Sequence, residues 1–251
     1  MFCVSMVVAL LNYAFQFAAG RILNVADYGS MYSLLSAANI SLTIGLIAQT
    51  AIAKNIATDS CTKQEAKRYF ITHSIIQAVV SVFTAFILLL LKYDIADSIV
   101  IMLYVLANNV SLFSAGIAQG YKKFGVVAIQ LLIPSFFRLA AIVLMIIGCP
   151  YIWAFVMLVI AGIVSLIIGL AAVRNLDYKT KPTGFCMGTL KTLMFSVIPM
   201  GTLAAFTYMH NVVAKSVASE EEAGAYCLAA LLGVAMISIP GSLTPVLVPY
   251  A

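Results

Sequence analysis

Arg138 is the residue of this chain best suited to do chemistry, because it is the only formal charge well inside an apolar stretch. A charge in the hydrocarbon of a membrane is costly, turns toward the protein interior and commonly marks a pathway for a substrate or ion. A guanidinium also binds phosphate through paired, charge-assisted hydrogen bonds. Arg138 is therefore a candidate substrate-binding residue. The alternative is that its long side chain snorkels to an interface.

Other polar side chains interrupt the apolar stretches and could line a hydrated cavity. The candidates are Asn12, Gln16, Asn39, Asn108 and His210. Asn12 and Gln16 are four residues apart and therefore share one helix face. Each candidate could equally make a hydrogen bond between helices. We predict substrate-binding roles for all five, and we expect a polar interior among the first five helices.

Residue patterns typical of enzymes are missing from this sequence. The two histidines are far apart, and there is no HExxH, GxSxG or phosphate-binding-loop motif and no acidic pair inside an apolar run. The five cysteines are scattered, with neither a disulfide framework nor a zinc pair. We therefore predict no catalytic residue, no metal site and no cofactor, and we expect a protein that is not an enzyme.

Long apolar segments are the elements that must position these side chains. Hydrophobic residues make up 63% of the 251 positions and charged residues 9%, whereas a soluble domain carries about 25% charged residues. Each run approaches the ~20 residues that a helix needs to cross the hydrocarbon. The approximate spans are 1–20, 30–54, 69–91, 98–120, 126–147, 151–173, 192–215 and 223–248. Because backbone groups must be paired in lipid, we predict an all-α membrane protein with about eight transmembrane helices.

The cations between the spans predict the orientation of the chain. The connections after spans 2, 4 and 6 contain Lys54, Lys63, Lys67, Arg68, Lys122, Lys123, Arg174, Lys179, Lys181 and Lys191. Those on the other side contain only Arg21, Lys92 and Lys215. Since cytoplasmic loops are enriched in Lys and Arg, we expect a multi-pass protein of the cytoplasmic membrane with its N-terminus in the cytoplasm. Topology and anionic headgroups explain these cations, so membrane lipid is the expected partner and nucleic acid is not.

Two outer connections share a pattern. Asp27 and Gly29 precede span 2, Glu222 and Gly224 precede span 8, and the two glycines are 195 positions apart (224 − 29). Six spans intervene, so both copies face the same side, as in a parallel transporter repeat. This predicts a six-helix lobe at 1–190 and the first two helices of a second lobe at 191–251. Chance similarity of two loops is the alternative.

Five segments in order along the chain resemble the polysaccharide-biosynthesis flippases of the multidrug/oligosaccharidyl-lipid/polysaccharide exporter superfamily. They are Gly20–Gly29 with Tyr32, Gly116–Phe124, Pro134–Leu139, Glu221–Tyr226, and Ile239–Gly241 with Pro249. The resemblance implies two six-helix lobes around a central cavity that carries cationic and polar side chains. It also implies alternating access for a lipid-linked oligosaccharide. Arg138 is the residue that matches such a cavity position clearly.

The sequence departs from the family pattern in two ways. His210 stands five residues before Lys215, where the family often has an acid, and this argues against cation coupling at that position. The last four to six helices of the pattern are absent. We therefore expect a fragment that pairs with a missing C-terminal lobe or with a second copy. Without one, His210 and Asn211 would lie on unpartnered faces.

The expected function is the transfer of a lipid-linked oligosaccharide or polysaccharide repeat unit across the membrane. A multidrug/cation antiporter of the same superfamily is one alternative, but it should carry carboxylates inside its helices. A truncated, non-transporting remnant is another. A membrane glycan polymerase is the third, and it should have a large outer loop, whereas the outer connections here are short.

Overall fold

The computed structural model describes residues 2–58, 62–174 and 185–241, and these ranges form eight helices without a strand. The helices are α1 (Phe2–Ile22), α2 (Val25–Thr58), α3 (Lys63–Leu90), α4 (Ile95–Gly120), α5 (Phe124–Ile146), α6 (Ile152–Val173), α7 (Phe185–Val217) and α8 (Glu220–Gly241). The prediction of an all-α fold is confirmed. The helix α7 begins before position 191, where the sequence predicts the second lobe to begin. Pro249, which carries part of the family resemblance, lies outside the described residues.

Six of these helices, α1 to α6, are long and apolar enough to cross a membrane, judged by length and composition over the described residues. Together with the all-helical fold, this supports a membrane protein. Whether α7 and α8 also cross the membrane stays a prediction. Proline does not end the helices in which it occurs: α5 continues through Pro134 and α7 through Pro199.

Two central helices, α2 and α4, organise the packing. The helix α2 packs against α4, α7 and α8, and α4 also packs against α3 and α6. The helix α5 lies between α1 and α6. The main core includes Tyr28 and Tyr32 of α2, Tyr104 of α4 and Phe155 of α6. The helices α7 and α8, which are predicted to begin the second lobe, therefore pack against the first lobe through α2.

Close approach of α4 and α2 depends on Gly116 and Gly120. A Cβ atom at position 116 would lie 2.9 Å from the carbonyl oxygen of Gln49, and one at position 120 would lie 2.6 Å from Cβ of Ile56. Small residues four apart let two helix backbones approach in this way. The GxxxG pair of α4 thus lies at the close contact of α4 with α2.

The interior between the first helices is polar, as the sequence predicts, and its groups are largely bonded to one another. Gln49 Nε2 of α2 donates to Gln119 Oε1 of α4 at 3.0 Å, and the hydroxyls of Ser41 and Thr84 are 2.6 Å apart. Asn109 Nδ2 donates to the Ser41 carbonyl at 3.2 Å. These bonds satisfy groups that would otherwise be costly to bury, so this part of the interior stabilises the helix bundle.

Candidate substrate-binding site

Arg138 and Asn12 meet where α5 packs against α1. The guanidinium nitrogen Nη1 of Arg138, on α5, donates a hydrogen bond to Oδ1 of Asn12, on α1. The hydroxyl of Ser135, one turn before Arg138, lies 3.5 Å from the same oxygen. Both partners are half-buried. The structure therefore brings together two of the six residues predicted from the sequence.

A tyrosine of α7, Tyr208, lies near Arg138. The phenol of Tyr208 on α7 lies within electrostatic range of both the Arg138 guanidinium and the Tyr104 phenol. Tyr104 is 2% exposed, and Tyr208 is half-buried. Neither tyrosine stands out in the sequence, because tyrosine is ordinary in an apolar helix. Tyr208 thus brings a polar group of α7 into electrostatic range of Arg138.

The charge of Arg138 lacks a carboxylate counterion within the part of the chain that the structure describes. The hydrogen bond from Arg138 goes to a neutral amide oxygen, and the Lys215–Glu220 ion pair does not involve Arg138. A guanidinium carries five N–H donors in a planar fork. Arg138 is thus held in place by Asn12 and retains donors and a positive charge for an anionic group.

Gln16 extends the polar face of α1 by one turn. It is four residues after Asn12 and, like Asn12, half-buried. Residues four apart lie one above the other on a helix. Gln16 therefore lies one turn further along the face of α1 that carries Asn12.

Asn108 and Asn39 have other surroundings. Asn108 Nδ2 donates to the carbonyl of Tyr104 at 3.0 Å and to that of Leu158 at 3.2 Å, which ties α4 to α6. The carbonyl of Asn39 accepts a hydrogen bond from Thr43 at 2.9 Å. Among the described residues no hydrogen bond joins either asparagine to Arg138. The structure therefore supports the interhelical role for Asn108 and does not bring Asn39 to the Arg138 site.

His210 faces a different direction from the Arg138 site. Its ring meets that of Tyr226 on α8 edge-on, with centroids 5.6 Å apart. The two residues border a groove of about 300 Å³ between α7 and α8. Two residues along a helix correspond to about 200° of rotation, so His210 and Tyr208 point to nearly opposite sides of α7. The structure separates His210 from the other predicted site residues.

The expectation that Asn211 would lie on an unpartnered face is wrong. Asn211 is fully buried, and its Nδ2 donates to the hydroxyl of Ser36 on α2 at 3.1 Å. The reason is that α7 packs along α2, so this face of α7 already has a polar partner within the first lobe.

A tyrosine in the α5–α6 connection is hydrogen bonded to the first turn of α4. The Tyr151 hydroxyl donates to Oδ2 of Asp97 at 2.9 Å. Burial, together with the nearby charge of Asp97, raises the pKa of Tyr151. Burial likewise raises the pKa of Tyr93, in the α3–α4 connection, to about 12. Both phenols therefore keep their protons at neutral pH, and Tyr151 remains a hydrogen-bond donor.

Comparison with known proteins places this geometry in a family. The family model described as polysaccharide biosynthesis protein matches residues 1–251. No curated protein and no solved structure matches the chain. The match extends over the six-helix unit and over α7 and α8 alike, as the ordered resemblances in the sequence predict. This multi-pass, all-helical chain with a charged residue in its interior belongs to the polysaccharide biosynthesis protein family.

Proposed function

We propose that this protein is a transporter that flips a lipid-linked oligosaccharide or polysaccharide repeat unit across the cytoplasmic membrane. The observation that carries the proposal is Arg138, a charged donor in the bundle interior that is bonded to Asn12 and lies in range of Tyr208. Family membership supports a role in polysaccharide synthesis or export. A phosphate-bearing lipid carrier is the substrate class that such a donor fits.

In the proposed mechanism, Arg138 compensates the charge of the carrier phosphate while the glycan crosses. The amide oxygen of Asn12 fixes one edge of the guanidinium, and the remaining N–H groups form paired bonds to phosphate oxygens. Polar side chains such as Gln16 and Tyr208 provide alternative partners for the sugar hydroxyls. Because Arg138 lies near α7, the phosphate would meet the interface that must open and close during alternating access.

The alternatives make different demands on the residues. An antiporter needs a titratable carboxylate in the membrane, whereas Asp27 and Asp97 lie in the first turn of α2 and of α4. A glycan polymerase needs an acceptor site on the outside, and the connections between α1 and α2 and between α3 and α4 are only a few residues long. These features favour a transporter over an enzyme. A remnant without transport would change neither the glycan pools nor drug or cation resistance.

Complementation tests the proposed function. The protein is expressed in a strain that assembles a lipid-linked glycan but lacks its own flippase, and surface glycan and membrane-bound precursor are measured together. A flippase should restore surface glycan and deplete the precursor. An antiporter should change drug or cation resistance without changing either pool. A polymerase should lengthen glycan chains only when another flippase is present. Continued accumulation of precursor with well-folded protein would rule out the proposal.

The proposed orientation can be tested with native cysteines. Cys149, in the connection between α5 and α6, is partly exposed and unpaired, and the charge pattern predicts that it faces outward. With the other four cysteines replaced by serine, Cys149 should react with a membrane-impermeant maleimide in intact cells. A variant retaining only Cys61, which lies outside the described residues, should react only after permeabilisation. The reverse pattern would invert the topology.

A further inference from the structure

Two glycines from distant parts of the chain touch where α2 and α8 cross. A Cβ atom at Gly29 would lie 2.7 Å from Cα and 2.8 Å from the backbone nitrogen of Gly224. A Cβ atom at Gly224 would overlap the carbonyl oxygen of Val25. The neighbouring atoms belong to the backbone in each case, so a rotamer change cannot make room. Only glycine at both positions permits this crossing.

The same two glycines occupy equivalent positions in the repeated pattern. In α2, Asn24 Oδ1 accepts from the backbone N–H of Asp27 at 2.7 Å. In α8, Ser219 Oγ accepts from the backbone N–H of Glu222 at 3.4 Å. Each cap is followed, five residues after the capping residue, by the crossing glycine. The two helix starts are thus built alike and face each other.

The crossing closes one end of the bundle. Below it, Cys227 and Leu231 of α8 are buried in the main core together with Tyr28 and Tyr32 of α2. On the other side of α8, a Cβ atom at Gly20 of α1 would lie 2.9 Å from Leu228.

The contact between the two helix starts is held by packing alone. In the described residues no hydrogen bond or ion pair joins the first two turns of α2 to those of α8; the caps are internal to each helix, and Lys215 bonds to Glu220 at 3.0 Å within the α7–α8 unit. Backbone-to-backbone van der Waals contact is weak for each atom pair and falls off steeply with separation. The two helix starts can therefore separate without leaving a buried polar group unpaired.

We propose that the crossing of α2 and α8 at Gly29 and Gly224 is the outer gate of the transporter, shut in this structure. The proposal rests on the proposed function and on the predicted orientation. Opening would move the start of α8 away from α2, uncover Cys227 and connect the Arg138 region to the outside, while the buried Asn211–Ser36 hydrogen bond keeps α7 on α2. Closing would restore the glycine contact, and the two glycines determine how tightly it seals.

Cys227 provides a native reporter of this gate, because it lies three residues after Gly224 and is fully buried. The protein is prepared with Cys3, Cys61, Cys149 and Cys186 replaced by serine, and a membrane-impermeant maleimide is added to intact cells. Labelling should be slow when the cells make no lipid-linked glycan and severalfold faster when they make it. Equal labelling in both strains, while surface glycan is exported normally, would refute the gate and leave the proposed function intact.

Glycine variants test the contact itself in the same background. Gly29→Ala and Gly224→Ala should each hold the crossing open, so Cys227 labelling should rise severalfold even without substrate. The matched control is Gly233→Ala on α8, because a Cβ atom there meets nothing within 4 Å. Labelling that does not rise in folded Gly29→Ala, or rises equally in Gly233→Ala, would refute the gate. If the alanine variants do not fold, the comparison of strains with and without substrate decides, because it uses no gate substitution. Loss of glycan export by the parent protein would instead refute the proposed function.

Discussion

Arg138→Ala should abolish glycan export while the protein remains folded and in the membrane. The guanidinium is the interior charge that the carrier phosphate would meet, and alanine removes both the charge and the fork of donors. The substitution leaves Asn12 with an unpaired but neutral amide, which is a modest cost compared with an uncompensated charge. Surface glycan should fall to background and lipid-linked precursor should accumulate, whereas the elution profile in detergent should match the parent protein.

Two further substitutions should distinguish the contribution of the Arg138 charge to export from the contribution of the guanidinium geometry. Arg138→Lys keeps the positive charge and loses the bidentate fork, so part of the export should remain. Asn12→Ala removes the acceptor that positions the guanidinium, and it should lower export less than Arg138→Ala does. Arg21→Ala is the control for loss of a cation, since Arg21 is exposed at the end of α1 over the ring of Phe17. Normal export by Arg138→Ala would show that Arg138 is a packing or snorkelling residue.

Gly116→Leu should destabilise the helix bundle, because it introduces a large side chain where α4 lies against the backbone of α2. Its Cβ would press on the Gln49 backbone, and the larger side chain would force α4 away from α2. The separation would also break the buried Gln49–Gln119 hydrogen bond of 3.0 Å. Overpacking of this kind typically costs about 1–3 kcal/mol. The thermal unfolding midpoint in detergent should fall clearly below that of the parent protein.

The control for this substitution is Gly125→Leu at the start of α5. A Cβ atom at position 125 meets nothing within 4 Å, and leucine favours a helix over glycine by up to about 1 kcal/mol. Gly125→Leu should therefore leave the unfolding midpoint unchanged or raise it. If Gly116→Leu has the same thermal unfolding midpoint as this control, the close approach of α4 and α2 contributes little to stability.

The number and approximate position of the helices could be predicted from the sequence, because the length of an apolar run is a local property. The run 98–120 corresponds to Ile95–Gly120, and 151–173 corresponds to Ile152–Val173. The differences occur at ends where polar residues continue a helix beyond the apolar run. The helix α2 begins at Val25 instead of 30 because Asn24 caps it, and α7 begins at Phe185 instead of 192.

The importance of Arg138 was also evident in the sequence, and the spacing of Gly116 and Gly120 marks a face of small residues on α4. A charge inside an apolar run is costly wherever the run packs, and two small residues four apart form a flat surface on any helix. The shared pattern around Gly29 and Gly224 was visible too, although the sequence indicated only that the two positions were equivalent. These predictions depend on one helix at a time.

Only the tertiary structure decided which faces meet. Asn12 and Asn108 look alike in the sequence, yet the first bonds to Arg138, 126 positions away, and the second bonds to the α6 backbone. Tyr208 reaches the Arg138 region and His210 does not, because they project from different sides of α7. Spacing along a helix fixes which residues share a face, but the rotation and neighbours of that helix come from packing. For the same reason, contact between Gly29 and Gly224 required the fold to bring α2 and α8 together.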